Sequence, residues 1–353
     1  MKAIGVEQGS AEPTLLDVPA PTPDDGEALL RTHRVGIDGT DFEVLEGTHG
    51  GFPAGDDYQI LGHEAVCMVE DPNGTQLDRG QFVVPTVRRP PAESNEYFDR
   101  GEPDMAPPED CLERGIDGAH GFMAEYVTSP AEYLIPIPNE LADVGVLIEP
   151  MSNTAKALEL AFSSRGVLEW EPERVLVLGN GPLGLLTLAM VQPTVEHAYC
   201  LGRRDRPDPT IDIIEELGAT YVDSRETSVS EIPDVYEPVD LVYEATGYAR
   251  HAYDTIDALG PGGVGVLLGL PNDWTFEIDG GALHRELVLK NKALLGSVNS
   301  NLRHFESARE SITTLPEWFL DRIMTDVFPP ERAEEAFAGG DDRIKTVIEF
   351  EAL

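Results

Sequence analysis

The sequence predicts an α/β protein in which a mainly β region precedes a doubly wound parallel sheet. Its 353 residues exceed what one hydrophobic core usually serves, so two domains are expected. The first 150 or so residues carry short apolar runs separated by Gly, Pro and Asp, which is typical of strands and turns. From about Met151, apolar strands alternate with helices, and a Gly-x-Gly-x-x-Gly segment joins the first such strand to its helix.

The amino-terminal region has four predicted strands, at residues 2–6, 27–35, 62–69 and 81–84. Residues 88–118 are rich in Pro, Glu and Asp and show little periodicity, so they are predicted to form a long loop. A loop of that length inside a domain is usually a lid, a lobe or a binding element.

The second region has the strand and helix order of a doubly wound sheet. Strands are predicted at 175–178, 198–202, 219–222, 241–244 and 264–270, and helices at 153–163, 182–190, 211–217 and 249–259. The chain then returns to helix at 302–312 and 320–323 and ends in a strand at 345–349. We therefore assign 153–300 to the parallel-sheet domain, and 1–152, completed by 301–353, to the other domain.

The charge balance is strongly acidic, with 65 Asp and Glu against 25 Lys and Arg and a net charge of −40; only five of the bases are lysines. Nucleic acid and anionic membranes are therefore not expected as partners. Molar salt shortens the Debye length to roughly 3 Å, which would relieve the repulsion between like charges. Because the acids are spread along the whole chain rather than gathered in a tail, the composition predicts a protein of a salt-filled cytosol.

The three cysteines, Cys67, Cys111 and Cys200, lie far apart, which argues against a disulfide framework or a four-cysteine zinc site. The amino terminus has no apolar core of signal-peptide length. The uncharged stretch 175–195 contains Gly-Asn-Gly-Pro and Gln-Pro, which interrupt a helix, so it favours a strand, a turn and a buried helix over a membrane span. A cytoplasmic protein is expected.

The glycine-rich segment predicts a dinucleotide site formed by Gly179, Asn180, Gly181, Pro182, Leu183 and Gly184. The first glycine allows the tight turn, the second allows the backbone to approach a pyrophosphate, and the third allows the helix to pack on the strand. The helix N-terminus then faces the phosphates. A fortuitous glycine-rich turn is the alternative.

About twenty residues later, the second strand ends at Arg203, Arg204 and Asp205. An enzyme dedicated to NAD usually places an acid at this point, whereas Arg suits the 2′-phosphate of NADP. We expect NADP, with some use of NAD because Asp205 is adjacent. The alternative is that the two arginines merely pair with Asp205 and Asp208.

Four metal-competent side chains stand out in the first region: Asp38, His63, Glu64 and Glu149. Their spacing alone does not establish a site. In so acidic a chain most carboxylates are solvated surface, and a histidine such as His63 is often a core or turn residue.

Several segments resemble the zinc-dependent medium-chain alcohol dehydrogenases. Gly62-His63-Glu64 resembles their Gly-His-Glu signature, residues 36–41 their Gly-x-Cys-Gly-Thr-Asp segment, and Glu149-Pro150 their acid-Pro pair. Residues 113–116, 118–121, 202–205 and 291–299 are similar to the archaeal glucose dehydrogenase branch. The resemblance implies a GroES-like, mainly β catalytic domain and a Rossmann domain.

Two positions depart from the family pattern. Asp38 stands where relatives have a zinc-binding cysteine, and a carboxylate is a harder ligand than a thiolate, so we expect weaker zinc retention. The stretch 95–113, where many relatives hold a second zinc with four cysteines, contains only Cys111. One metal ion per chain is therefore expected.

The resemblance implies oxidation of β-D-glucose at C1 to gluconolactone, with hydride transfer to NADP or NAD. It implies Asp38 and His63 as zinc ligands, with Glu149 near the metal directly or through water, Glu64 as a transient ligand or sugar contact, and Thr40 in proton transfer. The expected sugar contacts are Thr40, Glu64, Glu113, Glu149, Asn153 and Asn299. Further expected cofactor contacts are Leu268, Gly269, Leu270, Ser297, Val298 and Asn299, although turn chemistry alone could explain Ser297 and Asn299.

Two other functions remain open at this stage. One is a related dehydrogenase that acts on galactose, xylose or sorbitol. The other is a non-catalytic, cofactor-binding redox sensor, which would not need the metal-competent set. The resemblance suggests a homodimer or homotetramer.

Overall fold

The computed structural model describes residues 1–92, 94–340 and 342–350. The chain divides into two compact units, one of Met1–Ser152 with Ser300–Leu353 and the other of Asn153–Asn299. None of the helices in the described ranges is both long and apolar enough to cross a lipid bilayer.

The strands are β1 Lys2–Glu7, β2 Thr14–Asp17, β3 Glu27–Ile37, β4 Tyr58–Ile60, β5 Glu64–Asp71, β6 Phe82–Pro85, β7 Arg88–Arg89, β8 Leu112–Arg114, β9 Gly118–Ala119, β10 Tyr126–Pro130, β11 Leu134–Ile137, β12 Arg174–Leu178, β13 His197–Gly202, β14 Thr220–Asp223, β15 Val239–Glu244, β16 Leu259–Leu267, β17 Ala293–Gly296, β18 Met324–Phe328 and β19 Lys345–Glu349. The α-helices are α1 Gly39–Glu46, α2 Glu96–Asp99, α3 Ile148–Ser164, α4 Pro182–Val191, α5 Pro209–Glu216, α6 Ile232–Val235, α7 His251–Ala258, α8 Gly280–Leu289, α9 Leu302–Ile312, α10 Glu317–Ile323 and α11 Ala333–Phe337.

The first unit is built on a sheet with the strand order β11-β6-β5-β3-β19-β18, in which β10 also pairs with β3. The central strand β3 pairs antiparallel with β5, which places Gly36 opposite Glu64. On its other side β3 pairs with β19 and places Ile37 opposite Thr346. This pairing brings the carboxyl end of β3 beside the start of β5 and the start of β19, although these segments are far apart in sequence.

The second unit is a six-stranded parallel sheet with the order β14-β13-β12-β15-β16-β17. This is the strand order of a dinucleotide-binding doubly wound sheet. Its central strands are nearly continuous apolar runs because helices cover both faces of such a sheet, and Val175, Leu176, Val177 and Leu178 are fully buried.

The predicted α/β class with a parallel sheet is confirmed, and the predicted helix 302–312 and strand 345–349 have the bounds of α9 and β19. The prediction of a long loop over 88–118 was wrong in part, because the stretch is not loop throughout. That stretch contains the three-stranded sheet β7-β8-β9 as well as α2, and strands of two or three residues are too short to show a period of two. The helix α1 was not predicted, and the predicted strand 264–270 ends at Leu267, so residues 268–270 follow β16.

Candidate functional site

Asp38 is the N-cap of helix α1. Its Oδ1 accepts hydrogen bonds from the backbone N–H groups of Thr40 at 2.8 Å and Asp41 at 3.2 Å, and Asp41 Oδ2 accepts from Asp38 N at 3.0 Å. This reciprocal capping box fixes the carboxylate of Asp38 on the helix end. Because the cap uses Oδ1, it leaves Oδ2 to face the imidazole of His63.

The geometry between Asp38 and His63 suits two ligands of one zinc ion. Asp38 Oδ2 lies 3.5 Å from His63 Nε2, and the side chain of His63 is only 5% exposed. Two ligand atoms at zinc distances of about 2.0–2.2 Å and a tetrahedral angle lie roughly 3.4 Å apart. On the other side of the ring, His63 Nδ1 lies 3.8 Å from Asp41 Oδ1, which accepts a hydrogen bond from Gly62 N at 3.1 Å.

Glu64 begins strand β5 and pairs with a buried lysine. Lys345 Nζ contacts Glu64 Oε2 and donates to the backbone oxygen of Ile37 at 3.0 Å, and both side chains are almost completely buried. Gly36 makes room for this pair, because a Cβ there would lie 2.8 Å from Lys345 Cε and closer still to Glu64 Oε2. One potential ligand atom from each of Asp38, His63 and Glu64 lies within 4.8 Å of the other two.

The electrostatics of this cluster favour a bound cation. Burial opposes ionisation of Asp38, but the neighbouring His63 outweighs it and lowers the pKa of that carboxyl. Burial also works against a charged His63, yet Asp38, Asp41 and Glu149 raise its pKa well above the ordinary value. Burial raises the pKa of Asp41 to about 6. Several carboxylates in one buried place therefore stabilise positive charge, which a divalent ion would supply.

Glu149 lies in the first turn of α3 and is 8% exposed. Its charge contributes to raising the pKa of His63, but it is not one of the three residues whose ligand atoms lie within 4.8 Å of one another.

A second group of metal-competent side chains exists among the described residues, formed by His33, Asp143 and Glu349. The guanidinium of Arg34 already pairs with both carboxylates of this group. It donates to Glu349 Oε1 at 2.9 and 2.6 Å and lies 3.3 Å from Asp143 Oδ1. Both carboxylates of this group are therefore paired with a guanidinium. In the Asp38 cluster the lysine contacts only Glu64, and Asp38 Oδ2 faces an imidazole, which makes that cluster the better candidate for a metal site.

Four further side chains were predicted to contact the sugar, and the structure shows where each one lies. Thr40 Oγ1 lies 3.4 Å from Asp38 Oδ2, beside the cluster. The carboxylate of Glu113 accepts a hydrogen bond from Arg88 Nε at 2.9 Å. Asn153 lies in α3 within the second unit. Asn299 follows β17 in that unit with φ of 57°, a left-handed conformation that asparagine tolerates.

The glycine-rich segment forms the turn between β12 and α4. Gly179 has φ of 111°, a conformation that favours glycine. At Gly184 there is no room for a side chain, because a Cβ there would collide with the backbone of Gly179. A Cβ at Gly181, the N-cap of α4, would meet no atom within 4 Å. The helix N-terminus is therefore open at Gly181, so a phosphate could approach its backbone N–H groups. Asn180 Nδ2 donates to Thr210 Oγ1 at 2.6 Å, and Pro182 and Leu183 begin the helix.

The remaining expected cofactor contacts follow the carboxyl ends of the parallel strands. Leu268, Gly269 and Leu270 follow β16, and Ser297 and Val298 follow β17. Lys156 Nζ donates to the backbone oxygen of Val298 at 2.9 Å and so fixes this second loop. Ligands bind at this edge of an open α/β sheet.

The arginine pair follows β13. Arg203 and Asp205 are exposed, and Arg204 Nε lies 3.9 Å from Asp208 Oδ2. That separation shows that the alternative ion pair with Asp208 is a loose one. Asp205 instead accepts a hydrogen bond from Arg225 Nη2 at 2.8 Å.

Sequence reasoning missed Asp41, Lys345, Lys156 and Arg225. Asp41 stands inside the quoted 36–41 segment, so a signal for it existed. Lys345 is one of only five lysines, but its proximity to Glu64 depends on the pairing of β19 with β3.

Comparisons with known proteins agree with this geometry. The alcohol dehydrogenase GroES-like domain family matches residues 24–139, and the glucose dehydrogenase C-terminus family matches residues 142–350. The chain is 60% identical to glucose 1-dehydrogenase 1 of Haloterrigena turkmenica, with 99% of each chain covered, and 59% identical to glucose 1-dehydrogenase of Haloarcula marismortui over the full length of both. It superposes with a TM-score of 0.98 and 58% identity, over 100% of both chains, on Haloferax mediterranei glucose dehydrogenase in complex with NADP, Zn and gluconolactone.

Proposed function

Because the chain belongs to the glucose dehydrogenase family, whose members join a GroES-like alcohol dehydrogenase domain to a glucose dehydrogenase C-terminal region, we propose that it oxidises glucose at C1 to gluconolactone. The hydride passes to NADP, and the reaction requires zinc. The observation that carries this proposal is the 3.5 Å separation of Asp38 Oδ2 and His63 Nε2, two potential ligand atoms at zinc-ligand spacing.

Zinc supplies Lewis-acid chemistry that lowers the pKa of a sugar hydroxyl and stabilises the resulting negative charge. Asp38 Oδ2 and His63 Nε2 hold the ion, and the capping box of α1 keeps the carboxylate oriented. Glu149 adds negative charge near the imidazole, as a ligand or through water. Lys345 holds Glu64, which serves as a transient ligand or as a sugar contact.

We propose that Thr40 relays the proton that the sugar hydroxyl loses: its hydroxyl, which donates to Asp38 Oδ2 at 3.4 Å, would accept that proton as it releases its own toward solvent. We propose Glu113, Glu149, Asn153 and Asn299 as further sugar contacts. A site built to bond several hydroxyls discriminates against sugars that lack one, because its buried polar groups are then left unpaired.

For the cofactor we propose NADP over NAD, with Gly179–Gly184 at the diphosphate and Arg203 and Arg204 at the 2′-phosphate. The open space at Gly181 supports the first assignment. The position of both arginines directly after β13, with Arg203 exposed, supports the second. NAD remains a weaker cofactor because Asp205 can accept from ribose hydroxyls.

We also propose a cytoplasmic homodimer or homotetramer. Strand β17 is an edge strand of the parallel sheet, and every residue of α8 is at least partly exposed, including Val288 and Leu289 at 61% and 76%. Exposed sheet edges and apolar surface are usually covered in an assembly. The free thiols of Cys67, Cys111 and Cys200 suit a reducing compartment.

The test is a substrate panel in molar KCl with glucose, galactose, xylose and sorbitol, each with NADP and with NAD. We expect the highest kcat/KM for glucose with NADP, gluconolactone as product, loss of activity after chelation and recovery on addition of zinc. A metal-depleted protein that keeps its full rate, or a protein that does not oxidise glucose under these conditions, would overturn the proposal.

A further inference from the structure

One tyrosine hydroxyl holds the backbone of the loop that carries the arginine pair. Tyr221 Oη accepts a hydrogen bond from Arg204 N at 2.8 Å and donates one to Arg204 O at 3.1 Å. This one side chain from β14 thus bonds both backbone polar groups of Arg204, and Arg225 Nη2 also donates to Arg204 O at 3.4 Å. Burial raises the pKa of Tyr221, so the hydroxyl keeps the proton that it donates.

The ring of Tyr221 also ties this loop to the glycine-rich turn. A Cβ at Gly202 would lie 2.9 Å from Tyr221 Cε2 and 2.6 Å from Asn180 Oδ1. Gly202 is therefore packed between the tyrosine ring and the side chain of Asn180, with no room for a larger residue. The last residue of β13, directly before the arginine loop, is therefore packed between β14 and the predicted diphosphate turn.

Arg225 restrains the acidic residue of the same loop. Its Nε donates to Asp223 Oδ1 at 2.9 Å and to Oδ2 at 3.1 Å, and its Nη2 donates to Asp205 Oδ1 at 2.8 Å. The hydrogen bond to Arg225 lowers the pKa of Asp223. Asp223 is 19% exposed and anchors the guanidinium, whereas Asp205 is 86% exposed.

We propose that Tyr221 and Arg225 are positioning residues that set the preference for NADP over NAD. This inference rests on the proposed function. A 2′-phosphate is read by arginine through charge-assisted hydrogen bonds, which need a fixed guanidinium, and Tyr221 fixes the backbone from which Arg204 extends. Asp205 is the carboxylate that would accept from the ribose hydroxyls of NAD and repel a 2′-phosphate. Arg225 neutralises that carboxylate and bridges it to Asp223.

The pair between Arg225 and Asp205 acts on cofactor choice rather than on stability. An ion pair with one partner this exposed contributes little to folding, and molar salt screens it further. The same pair still decides whether an uncompensated carboxylate stands beside the 2′-position of the bound ribose. The expected signature is therefore a change in the ratio between two cofactors, with the stability of the protein unaffected.

The test compares Tyr221→Phe and Arg225→Gln with wild type for both cofactors in the same salt. For Tyr221→Phe, which loses the two hydrogen bonds but keeps the ring, we expect KM for NADP to rise about 3- to 10-fold, while kcat and KM for NAD change less than twofold. For Arg225→Gln we expect the ratio of kcat/KM for NADP to that for NAD to fall about tenfold. Adding Asp205→Asn should restore most of that ratio.

Arg206→Gln is the matched control. Arg206 is also exposed and ion-paired, but its partner is Glu215, so its removal should leave the ratio unchanged. Isothermal titration with adenosine 2′,5′-bisphosphate and with adenosine 5′-monophosphate provides a readout independent of turnover. Tyr221→Phe and Arg225→Gln should each weaken binding of the bisphosphate and leave binding of the monophosphate unchanged.

Equal loss for the two cofactors, or for the two adenosine ligands, would show a general loosening and overturn the inference. An unchanged ratio in both variants would also overturn it. A wild-type protein that does not bind the bisphosphate more tightly than the monophosphate would instead contradict the proposed use of NADP.

Discussion

The substitution Lys345→Met tests whether Glu64 depends on its buried partner. Methionine keeps most of the length of the lysine side chain but removes the charge that contacts Glu64 Oε2 and the donor to Ile37 O. Removing one member of a buried ion pair usually costs about 3–5 kcal/mol, because the remaining charge stays buried without compensation. Salt does not replace this partner, since both side chains are almost completely out of solvent.

The magnitude follows from what Glu64 does in the variant. To avoid a bare buried charge it takes up a proton, and keeping a carboxyl with an ordinary pKa near 4.3 protonated at pH 7 costs up to about 3.7 kcal/mol. The unpaired oxygen of Ile37 adds about 1 kcal/mol. The folded-state pKa of Glu64 then lies above its unfolded value, so the variant loses stability as pH rises. We expect a loss of about 4–5 kcal/mol at pH 7 and about 2 kcal/mol at pH 5.

The assay is urea unfolding of the metal-depleted protein in molar KCl at both pH values. The double variant Lys345→Met with Glu64→Gln removes both charges, and it should recover most of the loss at pH 7. The reasoning is refuted if Lys345→Met costs less than about 1 kcal/mol at pH 7, if the cost is the same at pH 5, or if the double variant recovers nothing.

Three further predictions concern other parts of the chain. Asp41→Asn places an amide NH₂ against the backbone N–H of Asp38 or Gly62, from which Asp41 now accepts a hydrogen bond. Urea titration should show that the free energy of unfolding falls by about 2 kcal/mol. Unchanged stability would contradict the role of Asp41 as acceptor for both N–H groups. Burial raises the pKa of Cys67 and of Cys200 to about 12, so above about pH 9 only the unfolded chain ionises these thiols. The free energy of unfolding should therefore fall by about 1.4 kcal/mol per pH unit for each thiol. Cys200→Ser should reduce this slope by that amount, and a slope identical to that of wild type would contradict the buried, protonated state of Cys200. With a net charge of −40, the melting temperature should rise from low to molar KCl, and a flat or falling series would count against adaptation to salt.

The parallel-sheet unit was predictable from sequence because its signals are local. The apolar run of β12, the glycine-rich turn and the helix α4 follow one another directly, and each constrains the conformation of the next. The bounds of β19 and α9 were likewise visible in the apolar pattern alone. These elements pack as their periodicity indicates.

The metal cluster was only partly predictable because its supporting residues meet through long-range strand pairing. Gly36, Glu64 and Lys345 belong to three different strands. Their spacing in the sequence does not show that the glycine leaves room for the buried pair of Glu64 and Lys345. Asp38 was identified as a metal ligand from a resemblance. Its role as the N-cap of α1 could not be predicted, because the helix itself was not predicted. Tyr221 was invisible for a similar reason, since its partner is backbone rather than side chain.

We expect Asp38 and His63 to hold one zinc ion per chain. The most direct measurement is a zinc titration against a competing chelator for wild type, Asp38→Ala and His63→Ala. His197→Ala is the control, since that exposed residue begins β13 in the other unit. We predict one zinc per chain, a dissociation constant at least about 100-fold weaker in both ligand variants, equivalent to about 2.7 kcal/mol, and no change in the control. Wild-type affinity in either Asp38→Ala or His63→Ala would contradict the claim.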